Sequence, residues 1–217
     1  MEKELFCKLH NERQQDIKTF NKPAYKQYWH SIIDKYPDSA HFVYELLQNA
    51  DDANATNVEI LIDENYLIFK HDGTEQFSIS DENESENYQN RRGHINAITG
   101  IGFSTKGELS TQNKIGKFGV GFKSVFQYTN KPEVYDDKFR FYIENYIVPT
   151  WIKEDHPLRK KGETLFKFPF KEPEKAYKQI IDKLKQIKNP NLFLNSIQTI
   201  TWKKTTDDKT YTYTKQR

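Results

Sequence analysis

The chain has one cysteine, Cys7, in 217 residues. An internal disulfide and a cysteine-ligated metal cluster are both excluded. A reducing compartment is the simplest setting. No apolar run approaches the roughly 18 residues that a spanning helix needs. The opening MEKELFCKLHNERQQD is too polar for a secretory leader. A cytoplasmic chain without a membrane partner is therefore expected. An excess of one charge is also lacking: 33 Lys and Arg face 31 Asp and Glu, for a formal net charge of +2. Nucleic-acid binding through bulk charge is not indicated. The lysine-bearing P-loop pattern G-x-x-x-x-G-K-[ST] is absent. What is present, 29% charged and 14% aromatic residues, reads as a folded domain with a heavily solvated surface.

Helical periodicity runs from about residue 4 to 36 and is broken at Pro23. After Pro37, Asp38 or Ser39 can cap a helix that spans about 40–53. NVEILID and YLIFKHD, joined by Glu64 and Asn65, form a hairpin. From about 74 to 115 the chain is polar, then Gly-, Ser- and Thr-rich, as a functional lid would be. PEVYD, KFRFYIENYIV and ETLFKFPF are strand candidates, and EPEKAYKQIIDKLKQIK is an amphipathic helix. NLFLNSIQTITW leads into a strand, and the chain closes with two strands around Asp207 and Asp208. The order implies an α+β two-layer sandwich, a mixed sheet covered by helices on one face.

One stretch departs from simple packing. In YELLQNADDANAT, Glu45, Asn49 and Asp52 are spaced by four and three, so they share a helix face. Phe42, Val43, Leu46, Leu47 and Ala50 cover much of the remainder. A polar stripe on such a helix suits the wall of a cavity, because unpaired buried polar groups cost about 1–3 kcal/mol each. An amide oxygen such as that of Asn49 suits Mg²⁺ that keeps its waters and shares phosphate oxygens. A carboxylate one turn away, Glu45, suits a general base beside an ordered water. The alternative is a solvated face with caps and i,i+4 pairs. Asp51 points off the stripe and is expected to be solvated.

Three later stretches bear on that choice. GKFGVGFK contains Gly116, Lys117, Phe118, Gly119, Val120, Gly121, Phe122 and Lys123 and opens a helical run. Glycines let the backbone approach phosphate oxygens, a helix start adds free N–H donors, and Lys117 and Lys123 add positive charge. A tight turn would use the same glycines. In KHDG, Asp72 suits the exocyclic amine of adenine, or with Gly73 forms a plain turn. In KGETLFKF, Thr164 opens a strand and suits a hydroxyl supporting Asp72, or is simply a β-former.

In this order, E-x-x-x-N-x-x-D-A, D-G, G-x-x-G-x-G and G-x-T resemble the GHKL class of ATPases. That class holds gyrase, the large heat-shock chaperones, histidine kinases and MutL proteins. Within it, ELLQNADDA, STK, IGKFGVGFKSVFQYTNKPEV and LFLNSIQTI are similar to the sacsin N-terminal ATPase-like group, which includes the plant "no vein" proteins. The resemblance spans about residues 38–202. It implies a Bergerat ATP-binding fold over 38–217, with a lid at about 74–115 and residues 1–37 as a helical extension. It implies Glu45 as the water-activating acid and Asn49 as the Mg²⁺ ligand. Asp52 with Ala53 would lie beside the adenine pocket, and Asp72 with Gly73 would accept the adenine amine. The stretch from Gly116 to Lys123 would form the phosphate-cradling lid base, Lys106 a lid lysine, and Thr164 the support of the adenine aspartate.

One departure is visible: the class often carries D-x-G-x-G, and this chain has DGTEQF, with Gly73 alone. The histidine-kinase branch fits less well, because it usually lacks an acid at the position of Glu45. The implied activity is Mg²⁺-dependent ATP binding and slow hydrolysis, driving lid closure, homodimerisation or movement of downstream domains in a longer protein. A nucleotide-gated interaction or chaperone-like scaffold without catalysis is the alternative.

Overall fold

The computed structural model describes residues 1–27, 42–81, 93–100, 121–186 and 194–215. Helix α1 spans Glu2–Phe20, α2 Phe42–Asp52, α3 His94–Thr99 and α4 Pro173–Gln186. Strands β1 (Asn57–Ile62) and β2 (Tyr66–His71) form the expected hairpin. Then come β3 (Glu133–Tyr135), β4 (Arg140–Glu144), β5 (Val148–Trp151), β6 (Thr164–Pro169), β7 (Thr199–Lys204) and β8 (Thr210–Thr214). They make one eight-stranded sheet in the order β5-β4-β3-β6-β2-β1-β7-β8. The β1–β7 pair is parallel and the others are antiparallel. Among the described residues, no helix is long and apolar enough to cross a membrane.

The strands' period of two sorts their side chains between the faces. Val58, Ile60 and Ile62 of β1, Leu67 and Phe69 of β2, Phe166 and Phe168 of β6, and Ile200 and Trp202 of β7 join the main core. That core also takes Phe6 and Leu9 from α1, Leu46 and Leu47 from α2, Ile95 and Ile98 from α3, and Ile180 and Leu184 from α4. The helices thus cover one face. The opposite face holds a small cluster of Leu61, Ile68, Tyr135 and Leu165. Burying each large aliphatic or aromatic side chain contributes about 1.5–3 kcal/mol, so the helix-covered face dominates stability.

Three features depart from the expected layout. Helix α1, expected as an extension ahead of the domain, belongs to the core: the Phe6 ring meets Phe141 at 5.7 Å and Trp151 at 5.2 Å. The single strand expected over KFRFYIENYIV is two, β4 and β5. Between them Asn145 and Tyr146 take φ values of 50° and 68°, and that left-handed pair reverses the chain. Inside the expected lid, Phe77, Ile95 and Ile98 are core residues. Asn96 fastens the two sides there: its Oδ1 accepts from Ser80 N at 2.9 Å and its Nδ2 donates to Ser80 O at 2.9 Å.

Asp51 corrects its own expectation. It is buried, 8% exposed. Its carboxylate accepts from three backbone N–H groups of the loop before β7: Asn195 at 2.9 Å, Ser196 at 2.7 Å and Ile197 at 3.0 Å. That loop crosses the end of α2, where its donors have no strand partner, and buried backbone groups must be paired. Asp51 therefore joins α2 to β7 across the sheet. Asp51→Ala is expected to lower the unfolding free energy by about 3 kcal/mol, because it strands these donors. Urea unfolding checks this: the midpoint should fall at unchanged slope, and an unchanged midpoint would contradict the clamp.

Candidate functional site

The site starts on α2. Its apolar residues turn Phe42, Val43, Leu46, Leu47 and Ala50 into the core, which leaves Glu45 half-buried at the helix edge. Asn49 is 6% exposed, and its Nδ2 has no hydrogen-bond partner among the described residues. A buried amide nitrogen without a partner is costly and marks a place where another group belongs. Asp52 is half-buried at the last turn. Glu45 makes no hydrogen bond or ion pair with the described residues, so its carboxylate is not consumed by the fold.

The glycine motif meets this face at its last member. A Cβ built on Gly121 would stand 1.9 Å from Glu45 Oε2 and 2.7 Å from its Cδ. Real Cβ contacts are never that short, so a side chain at 121 would push the Glu45 carboxylate, the far end of a flexible side chain, out of its present position. Two stretches 76 positions apart in the chain, numbers 45 and 121, are thereby in contact. Phe122 is buried against Phe166 at 6.0 Å and anchors this segment. The helical run that follows is a tight 3₁₀ segment, Lys123–Gln127. Lys123, expected at phosphate, is 3% exposed and donates from Nζ to Tyr146 O at 3.1 Å. Its ammonium holds the β4–β5 turn against this segment. Lys106, Gly116, Lys117, Phe118, Gly119 and Val120 lie outside the described residues.

The end of β2 is arranged differently from the expectation. Asp72 was expected at the adenine amine with Thr164 behind it. Its carboxylate is instead saturated by the start of β1: Oδ1 accepts from Thr56 N at 2.7 Å and Asn57 N at 2.8 Å, and Oδ2 accepts from Thr56 Oγ1 and Asn57 Nδ2, each at 2.7 Å. These bonds hold the carboxyl below the usual carboxylate range, against a desolvation penalty that acts the other way. Asp72 borders a cleft of about 320 Å³ with Glu59, Lys70, His71 and Glu163. Lys70 is already paired there with Glu59 at 2.7 Å.

Thr164 pairs across the sheet with His71, not with Asp72. The alternation of β2 explains the change: Leu67, Phe69 and His71 point to the helix-covered face, so Asp72 cannot. His71 is 6% exposed, lies 6.0 Å from the Phe166 ring, and accepts at Nδ1 from Gly73 N at 3.1 Å. A Cβ on Gly73 would meet His71 Nδ1 at 2.8 Å and Ala53 O at 2.9 Å, so glycine is required where the strand end passes the end of α2. The sequence reading passed over His71. The available signal was the D-x-G spacing, which counted back from Gly73 lands on position 71.

Two edges therefore meet along α2: Glu45 with Gly121 at one end, and Ala53 with Gly73 and His71 at the other, with Asn49 and Asp52 between. Among the described residues, no group of three or more His, Cys, Asp or Glu side chains could hold a metal ion. A divalent cation near Asn49 would share its shell with a ligand, and a single amide oxygen suits Mg²⁺ held in that way.

A Sacsin domain family model matches residues 22–144, more than half of the chain. The chain belongs to the Sacsin domain family. It is 36% identical to Sacsin of Homo sapiens over 121 residues, which is 50% of this chain and 2% of that protein. It is 31% identical to Protein NO VEIN of Arabidopsis thaliana over 127 residues, 53% of this chain and 4% of that protein. The chain therefore spans only a few per cent of the length of these relatives. The family match includes α2, the β1–β2 hairpin and Gly121, and it ends before Thr164.

Burial lowers the His71 pKa to about 4, and the neighbouring Asp72 charge opposes the shift. The fold thus favours the neutral ring, while the unfolded chain takes up a proton near pH 6.5. Stability is expected to fall by about 3 kcal/mol as pH drops from 6.5 to 4, and to lose no more from this group below 4. Denaturant midpoints of wild type and His71→Asn against pH isolate the effect. Parallel curves over that window would contradict it.

Proposed function

We propose that this chain is a nucleotide-binding module of the GHKL type that binds ATP with Mg²⁺ and hydrolyses it slowly. The observation that carries the reading is the contact of Gly121 with the Glu45 carboxylate, one turn from Asn49, whose amide nitrogen has no partner among the described residues. An acid and a buried amide nitrogen without partners among the described residues, with Gly121 packed against the acid, fit a phosphate site better than a packing surface. Bound Mg²⁺ would supply neutralisation of phosphate charge. Asn49 offers its amide oxygen to the ion. Glu45 orients a water and accepts its proton. Gly121 keeps the space beside the carboxylate open and presents backbone to the phosphates. In the longer protein, turnover would act as a conformational switch on neighbouring domains or on a second copy.

A second reading follows from Lys123. With its ammonium bound to Tyr146 O, a catalytic cation would come from elsewhere, for instance from another domain of the longer protein. The chain alone would then bind nucleotide and gate an interaction without turnover. Comparing turnover of this chain with that of the intact protein separates the two readings.

At about 100 times Kd, ATP with Mg²⁺ should add about 2.7 kcal/mol of stability, which raises Tm by several degrees in differential scanning fluorimetry. No shift would end the proposal. Glu45→Ala should retain that shift and lose turnover by about 100-fold or more. Gly121→Ala, which forces the carboxylate aside, should lose turnover to a similar degree. The double variant should be no worse than either single one, because both changes act on one group. Additive losses would show that Gly121 acts independently of Glu45.

A further inference from the structure

We propose that β8 is a dimerisation edge: it pairs antiparallel with β8 of a second copy of this chain, about a two-fold axis at Thr212, so that the two sheets become one. The inference stands on the sheet alone and does not rest on the nucleotide reading.

The two edges of the sheet are built differently. β5 ends the sheet on one side and carries Pro149, and α1 packs over it, with His10 Nδ1 2.8 Å from Pro149 O. Proline and a covering helix both keep an edge from pairing. β8 ends the sheet on the other side with TYTYT, 5 residues without proline or charge. The backbone bonds of its neighbour fix which of these residues face outward. Lys215 N donates to Gln198 O at 2.8 Å, whereas Thr199 N donates to the opposite side, to Thr56 O at 3.1 Å. Bonding directions alternate along a strand, so Ile200 and Trp202 bond to their partners Tyr213 and Tyr211. The N–H and C=O groups of Thr210, Thr212 and Thr214 then point away from β7. All three threonines are exposed, and among the described residues no strand lies beyond them.

This edge reads the same in both directions. A two-fold axis at Thr212 sets Thr212 against its own copy, Thr210 against Thr214 of the second copy, and Tyr211 against Tyr213. The outward groups of the threonines then exchange backbone hydrogen bonds across the axis. Threonine opposite threonine and aromatic opposite aromatic are favourable cross-strand pairs. The flanking Lys209 and Lys215 also meet in this register, but each ammonium is drawn back onto its own chain. Lys209 Nζ lies 4.8 Å over the Tyr211 ring, and Lys215 Nζ donates to Leu194 O at 2.6 Å. The contact is isologous, and with β5 covered it closes at two copies.

Backbone amide exchange, followed by NMR over a range of protein concentrations beside analytical sedimentation, tests the edge. The Tyr211 and Tyr213 amides should be protected at every concentration. Those of Thr210, Thr212 and Thr214 should gain protection of about tenfold or more as dimer forms. Thr212→Pro removes an N–H that β7 does not use, so the monomer should keep its fold while the dimer weakens at least about tenfold. Thr212→Lys sets like charges face to face at the axis and should weaken the dimer similarly. A chain that stays monomeric at every concentration would overturn the proposal. So would a dimer that leaves the three threonine amides unprotected or survives both substitutions, and so would open-ended growth beyond two copies.

Discussion

The contact between the Gly121 backbone and the Glu45 carboxylate is the constraint on which the site depends. A methyl group at position 121 would overlap Glu45 Oε2. A side chain at 121 would therefore displace the Glu45 carboxylate from where it stands. Everything around the contact is fixed by burial. Leu46, Leu47 and Ala50 hold α2 on the sheet, and Phe122 holds the segment that follows Gly121 against Phe166.

Helix α2 serves three surfaces at once. Its apolar stripe makes the core, Glu45 meets Gly121, and Asp51 grips the loop before β7. The grip matters for the site, because β7 is the parallel neighbour of β1 and the hairpin β1–β2 ends at His71. Charge-assisted bonds to three backbone donors are strong and directional. They set where α2 ends, and with it where Ala53 meets Gly73. Stability and site geometry share these residues, so substitutions at Asp51 would disturb both.

Much of this was legible from pattern alone. The α2 stripe, the β1–β2 hairpin, β6, α4 and the closing β7–β8 pair all announce themselves by period and turn residues. Other features depend on partners far away in the chain. Asp51 looked solvated because its acceptors' donors lie about 144 positions on, at Asn195 and Ser196. Helix α3 and Phe77 were hidden in a polar stretch too short of apolar residues to show a period. Tyr146, with φ of 68°, gives no turn signal by its residue type. At the end of β2 the alternation puts His71 on the helix-covered face with Leu67 and Phe69, while Asp72, one residue on, is bonded to Thr56 and Asn57.

The membership of the Sacsin domain family and the mixed sheet define the setting. The central claim is narrower: the Glu45–Asn49–Gly121 edge takes a metal-bound nucleotide. Paramagnetic broadening of backbone amides by Mn²⁺ with ATP tests it most directly, because the effect falls steeply with distance from the ion. The account predicts that the amides of Glu45, Asn49 and Gly121 broaden first, and only when nucleotide is present. Broadening that starts instead at the acidic cleft of Glu59 and Glu163, or that needs no nucleotide, would contradict it.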